Sequence, residues 1–190
     1  ERKFMARGTN REEIEAMVML HPSFFRRLHV PRVVNNVYFD DFEFSFFKEN
    51  VEGDSQRNKV RIRWYGELTD VPAEATLELK SRFNQAGSKD HFSVKDFDLK
   101  RLGDQKKVDS WLEECTSLPK LIRKSGTLRP TLINSYRRSY FLSADGKYRV
   151  TVDDELRFLR PFDTLSGFIV YPWEDRTNVI ELKYAMEDDD

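Results

Sequence analysis

The sequence predicts an α+β fold, mainly β, built from about eight short antiparallel strands with helices between some of them. Three observations predict it. Apolar and charged residues alternate with a period of two in separate segments, most clearly in RNKVRIRWY, where Arg57, Lys59, Arg61 and Arg63 oppose Val60, Ile62 and Trp64. Turn residues, among them Gly53, Gly87 and Asp145-Gly146, separate these segments at short spacing. Helical spacing is confined to a few stretches, such as Val108, Trp111, Leu112 and Cys115.

Glu1 to Arg7 alternates as a strand, and Thr9-Asn10 then supplies a helix cap, with Glu12 and Glu13 in the first turn and Ile14, Met17 and Val18 as the apolar stripe. Pro22 and Pro31 predict breaks before a strand over Val33 to Asp40. Phe42 to Lys48 reads as a short helix leading into a turn at Glu52-Gly53-Asp54. Strands follow over Asn58 to Tyr65, Ala75 to Phe83 and, after a turn at Gly87, Lys89 to Phe97. The short links favour antiparallel hairpins. Asp104 to Lys124 is helical in pattern until Pro119 interrupts it. Thr131 to Leu142 and Lys147 to Phe158 form a hairpin around Ala144-Asp145-Gly146, Phe168 to Tyr171 is a short strand, and Asn178 to Met186 is the last.

The 190 residues suit one domain over 1–190, and Lys plus Arg number 32 against 33 Asp plus Glu. That balance argues against a protein that coats nucleic acid, so any basic site is local. The single Cys115 excludes an internal disulfide and suits a reducing compartment. No apolar run approaches the ~20 residues of a membrane span. The expectation is a soluble, cytoplasmic chain with no membrane segment and no nucleic-acid partner.

The polar strand faces are unusual in content. Thr76, Glu78, Lys80 and Arg82 share one; Lys89, His91, Ser93 and Lys95 another; Arg149, Thr151, Asp153 and Glu155 a third; Glu181 and Lys183 a fourth. Glu-x-Lys recurs as ERK, ELK and ELK. One reading makes these the solvated faces of an antiparallel sheet, with cross-strand ion pairs of about 0.2–1 kcal/mol. A sharper one closes the strands into a barrel whose charged interior holds an anion, because desolvated like charges repel unless neutralised. Other chemistry is missing. There is no Gly-rich phosphate loop, His21, His29 and His91 have no zinc-ligand spacing, and Ser135 and Ser139 have no His-Asp partners.

In order along the chain, ERK, YFD (38–40), RIRWYG (61–66), ELK (78–80), GSK (87–89), YRRSYF (136–141), YRVTVDDEL (148–156) and IELK (180–183) resemble the VTC-type polyphosphate polymerase domain of the CYTH or triphosphate tunnel metalloenzyme superfamily. The resemblance implies an antiparallel closed β-barrel forming a charged tunnel with flanking helices. It implies ATP, triphosphate and polyphosphate as ligands, Lys3, Arg61, Arg63, Lys80, Lys89, Arg138 and Arg149 as phosphate-binding residues, and Glu181 as the ligand of Mn²⁺ or Mg²⁺. Glu1, Glu78 and Glu155 rank below Glu181 as metal candidates. Arg61, Arg63, Lys80 and Glu181 carry the implied catalysis, transfer of the terminal phosphoryl group of ATP to polyphosphate. Strand parity alone equally chooses Arg137 in place of Arg138. A tripolyphosphatase or organic triphosphatase, or a silent polyanion-binding module, is the alternative. Related domains continue past IELK into a terminal helix, so the resemblance implies truncation at the C-terminus; protein partners are not implied by these residues.

Overall fold

The computed structural model describes residues 1–84, 86–113, 127–161 and 172–188. Its strands are β1 (Arg2–Ala6), β2 (Arg26–Asp40), β3 (Gln56–Tyr65), β4 (Ala75–Phe83), β5 (Ala86–Val94), β6 (Arg129–Leu142), β7 (Arg149–Leu159), β8 (Trp173–Asp175) and β9 (Asn178–Lys183), and its α-helices are α1 (Arg11–Met19), α2 (Ser45–Glu52) and α3 (Gln105–Glu113). The strands hydrogen-bond in the order β1-β9-β7-β6-β2-β3-β4-β5, with β8 on β7. The mainly-β antiparallel class is therefore as expected. Closure is not: β1 pairs with β9 and β5 with β4, and a barrel needs a further ladder joining those two ends, which the strand order of the described residues lacks.

The chain divides into two compact units, one of residues 1–34, 135–157 and 173–190, the other of 35–134 and 158–172. In the second unit, alternation on β3 does what the sequence predicts. Val60, Ile62 and Trp64 lie opposite Leu79, Leu77 and Ala75, and all six are buried. The layer packs against Phe97, Leu102 and the apolar face of α3, where Val108, Trp111 and Leu112 recur at helical spacing. Phe97 stands between Trp64 and Trp111, with both ring-centroid distances 4.9 Å.

Local boundaries move for identifiable reasons. Helix α2 starts at Ser45, because Asp41 Oδ1 accepts from the Ser45 N–H and Asp40 accepts from Phe46 and Phe47, and it ends at Gly53 in the left-handed region. The turn before β5 uses Asn84, at φ 52°, and Gly87 sits inside the strand opposite Arg82. Pro31 does not break β2; its fixed φ is compatible with extended chain.

In the first unit, Asn10 and Glu13 form a capping box on α1, whose Ile14 packs with Phe141, Val150 and Val152. The β6–β7 hairpin turns at Gly146, φ 76°, as expected. Alternation on β7 fails at Glu155, whose φ of 53° takes it off the face shared by Arg149, Thr151 and Asp153. Strand β9 ends at Lys183, short of Met186, and β8 is an additional strand. Cys115, the second half of the expected Asp104–Lys124 helix, and the Phe168–Tyr171 strand lie outside the described residues.

Trp111→Ala removes the ring that Phe97 and the β3 layer close upon, and should lower stability by about 3–5 kcal/mol. Urea unfolding followed by circular dichroism checks it; a loss under 1 kcal/mol would mean that the stack adds little.

Candidate functional site

In the second unit, register turns separate strand patterns into rows. Lys59 on β3 faces Lys80 on β4, which faces Lys89 on β5; the next row is Arg61, Glu78 and His91, and the next Arg63, Thr76 and Ser93. Arg57 and Arg82 form the row on the other side of the lysines. Glu78 is the carboxylate on this face among the described residues, and the cations crowd around it. Arg61 Nε donates to Glu78 Oε2 at 2.8 Å and its Nη2 donates to the same oxygen at 2.5 Å. Lys89 Nζ is 3.4 Å from Oε2, while Arg63 Nη1 is 3.8 Å and His91 Nδ1 4.0 Å from Oε1. The Glu78 side chain is only 6% exposed.

Neutral groups hold the arginines in place. Arg61 Nη1 donates to the Tyr38 hydroxyl at 3.2 Å, and Arg63 Nε donates to Asn36 Oδ1 at 2.8 Å, while Asn36 donates in turn to Asn134. Burial disfavours the charged form of Glu78, but Arg61 and Arg63, then Lys89, outweigh it and hold the carboxyl below the usual range. Burial pushes the Lys89 ammonium down, and Arg61 and Arg63 add to this against the attraction of Glu78. A face with more positive charge than its one carboxylate neutralises can take up a polyanion.

The first unit holds a second cluster. Lys3 lies opposite Glu181, which lies opposite Thr151, and Lys183 lies opposite Arg149. Lys183 Nζ is 2.9 Å from Glu181 and 3.8 Å from Glu1, and Lys3 Nζ is 3.3 Å from Glu1. Burial works against ionised Glu181, but the hydrogen bond and charge of Lys183, then Lys3, leave its carboxyl below the ordinary range. Among the described residues no three His, Cys, Asp or Glu side chains group to hold a metal. Glu1 and Glu181 are two carboxylates, which suffices for a hard divalent cation that completes its shell with water and substrate phosphate.

The paired arginines of YRRSY both find carboxylates. Arg138 donates from Nε and Nη2 to the two oxygens of Asp153 at 2.5 and 2.6 Å, and Arg137 Nη2 donates to Asp154 at 2.6 Å with Glu155 at 2.8 Å. Arg138's fork is thus occupied by one carboxylate. Glu155, a metal candidate from sequence, pairs with Arg137, and Glu78 stands among cations. Arg61, Arg63, Lys80 and Lys89 belong to one face of the second unit; Lys3, Arg149, Arg138 and Glu181 belong to the first. Sequence reasoning gave no role to Tyr38 or Asn36. Their signal was parity, since both alternate with the buried Val37 and Phe39.

The sequence profile of the VTC domain family matches residues 1–189. The chain belongs to the VTC domain family. Its relatives include vacuolar transporter chaperone complex subunit 2 of Saccharomyces cerevisiae, 25% identical over 155 residues that cover 67% of this chain and 18% of that protein. Subunit 4 of the same complex in Schizosaccharomyces pombe is 22% identical over 151 residues, covering 67% and 20%. This VTC domain chain spans about a fifth of the length of those relatives. Its fold resembles a candidate adenylate cyclase from Bacillus halodurans (TM-score 0.57, 13% identity, 98% of this chain and 80% of that one). It also resembles a candidate adenylyl cyclase from Hippeastrum, described as having a dominant triphosphatase activity (TM-score 0.54, 15% identity, 98% and 80%). The VTC family read from the sequence is borne out, as is the mainly-β antiparallel class, without the closed barrel.

Glu78→Gln keeps the shape and removes the counter-charge, so the VTC domain should lose about 3–5 kcal/mol at neutral pH, the range for breaking a buried ion pair. Because the folded-state pKa of Glu78 is depressed, its contribution is complete above the ordinary glutamate range and is lost as pH falls through the lower folded-state value. The Gln variant should therefore show a flatter acid limb in urea unfolding across that window. Parallel acid limbs in the two proteins would rule out Glu78 as the shared counter-ion.

Proposed function

We propose that this VTC domain is a polyphosphate polymerase, which transfers the terminal phosphoryl group of ATP to a growing inorganic polyphosphate chain and releases ADP. The observation that supports it most directly is the β3–β4–β5 face, where Arg57, Lys59, Arg61, Arg63, Lys80, Arg82 and Lys89 lie in adjacent rows and Arg61, Arg63 and Lys89 gather around Glu78. VTC membership supports the choice of polyphosphate among polyanions. A tunnel, which the resemblance implies, is part of the proposal.

The transfer forms a bond between a terminal oxygen of the polyphosphate chain and the γ-phosphorus of ATP, and breaks the bond from that phosphorus to the β–γ bridging oxygen. Little proton chemistry is needed; positioning and charge stabilisation do most of the catalysis. Arg61, held by Glu78 and Tyr38, and Arg63, held through Nε by Asn36, present fixed positive charge to phosphate oxygens, and Lys80 and Lys89 add point charges beside them. Within the first unit, Glu1 and Glu181 would hold Mn²⁺ or Mg²⁺, which when bound would supply positive charge to a phosphate oxygen beside Lys3 and Lys183. The relatives are named as subunits of a complex, and we propose that this domain likewise works beside protein partners.

Incubation of the chain with ATP and Mn²⁺ should give ADP and long-chain polyphosphate in a gel and coupled assay. ADP with free phosphate alone would replace polymerisation by hydrolysis, and metal-independent binding without turnover would leave a silent polyanion module. Arg61→Ala and Arg63→Ala should each weaken triphosphate binding by about 1.5–3 kcal/mol, or roughly 10- to 150-fold, by calorimetry. Glu181→Gln should abolish Mn²⁺-dependent ADP formation while ATP still binds; near-normal turnover would return Glu181 to its ion pair with Lys183.

A further inference from the structure

A cleft of about 600 Å³ opens in the second unit where α2 meets β2, β3 and β6. That size falls in the range of about 300–1,000 Å³ typical of small-molecule sites. Its walls include Phe44, Phe47 and Val51 from α2 and its cap, and Leu132 from β6. All four are exposed, Phe47 by 63% and Val51 by 68%, although large apolar side chains gathered around one concavity gain by being covered. The arrangement is held in place by a costly feature. Phe44 has φ 57°, a left-handed conformation that bulky residues rarely adopt, and Asp40 and Asp41 fix the helix start that follows it.

Two residues of the cleft also belong to the cationic face. Tyr38 lines the cleft, and its hydroxyl accepts the 3.2 Å hydrogen bond from Arg61. Lys59 lines it as well and heads the Lys59, Lys80, Lys89 row. An apolar, aromatic concavity therefore runs directly into a surface made for phosphates. The ligand that matches both has a flat, weakly polar group at one end and a chain of phosphates at the other.

We propose that this cleft binds the nucleoside of a nucleoside triphosphate whose phosphates lie on the β3–β5 face. The inference rests on the phosphate-binding reading above and adds a consequence to it. Inorganic polyphosphate has no group for the cleft, so the cleft distinguishes the nucleotide from a chain of phosphates, which the cations alone do not. An apolar protein segment would fill the same walls, but the continuity with Arg61 and Lys59 favours a ligand that is anionic where it leaves the cleft.

Calorimetric titration of the chain with ATP and, separately, with inorganic tripolyphosphate tests this. Phe47→Ala should weaken ATP binding about 5- to 100-fold, the span expected for a base on an aromatic platform, and Leu132→Ala, at an exposed position on a different element, should weaken it as well. Tripolyphosphate affinity should stay within about 2-fold of the parent, which also shows that each variant retains the phosphate site. Equal losses for both ligands, or no loss for ATP in either variant, would overturn the nucleoside site while leaving the phosphate reading intact; the second result is also what a protein-docking cleft would give. Failure of the parent chain to bind tripolyphosphate would overturn the phosphate reading itself and this inference with it.

Discussion

The second unit is organised around an electrostatic constraint: several cations on one sheet face converge on a single buried carboxylate. Cations at adjacent positions of neighbouring strands repel, and partial burial raises the cost because less water is available to screen them. Glu78 makes the crowding tolerable by accepting from Arg61 while lying within 4.0 Å of Arg63, Lys89 and His91. One negative charge does not cancel so many positive ones. Burial chiefly, with Arg61 and Arg63 adding to it, pushes the Lys89 ammonium down against its attraction to Glu78. The face is thus stable enough to exist and still short of negative charge.

The first unit treats its charges differently. Arg138 meets Asp153, and Arg137 meets Asp154 and Glu155, with short charge-assisted hydrogen bonds to the two aspartates. Buried Glu15 accepts from Arg27 and Ser139, with Arg11 at 3.5 Å, and Asp154 is also 3.5 Å from Arg11. These pairs satisfy each other, in keeping with the rule that buried charges are matched. Around Lys3, Arg149 and Lys183 a cationic excess returns, against Glu1 and Glu181. A chain of net charge −1 can therefore present strongly basic surfaces, because its carboxylates are distributed unevenly.

Much of this was legible in the sequence, because a period of two is a direct consequence of strand geometry. Val60, Ile62 and Trp64 had to be buried if Arg61 and Arg63 were not, and they are. Register was not legible. Parity places Lys59, Lys80 and Lys89 on polar faces, but only pairing puts them in one row and puts Glu78 beside Arg61. Backbone exceptions were hidden for the same reason. Asn84 took the left-handed turn that Gly87 advertised, and Glu155 left the face that alternation assigned to it. Phe44 is the extreme case, since no local pattern announces a phenylalanine at positive φ, and that residue lines the cleft. The order of the strands, whose two ends are not joined among the described residues, likewise depends on pairing between distant segments.

A strand lattice also limits what such a face can discriminate. Successive cations on β3 are two residues apart, about 6.6–6.8 Å, and neighbouring strands are about 4.8 Å apart. Such a grid offers charge at near-regular intervals in two directions. A linear polyphosphate is itself a repeating anion, so shifting it along the grid exchanges one phosphate contact for an equivalent one. Regularity suits a ligand that must advance, but it carries no means of telling the end of a chain from its middle, or a nucleotide from either. That distinction has to come from a feature that does not repeat. In the second unit the irregular segment beside the grid is the turn from β2 into α2, where Asp40 and Asp41 cap the helix and Phe44 is forced out of the ordinary conformation. On the proposed reading affinity would reside in the periodic strands and selectivity in the aperiodic turn, and the two meet at Tyr38, whose hydroxyl accepts from Arg61 and which also lines the cleft.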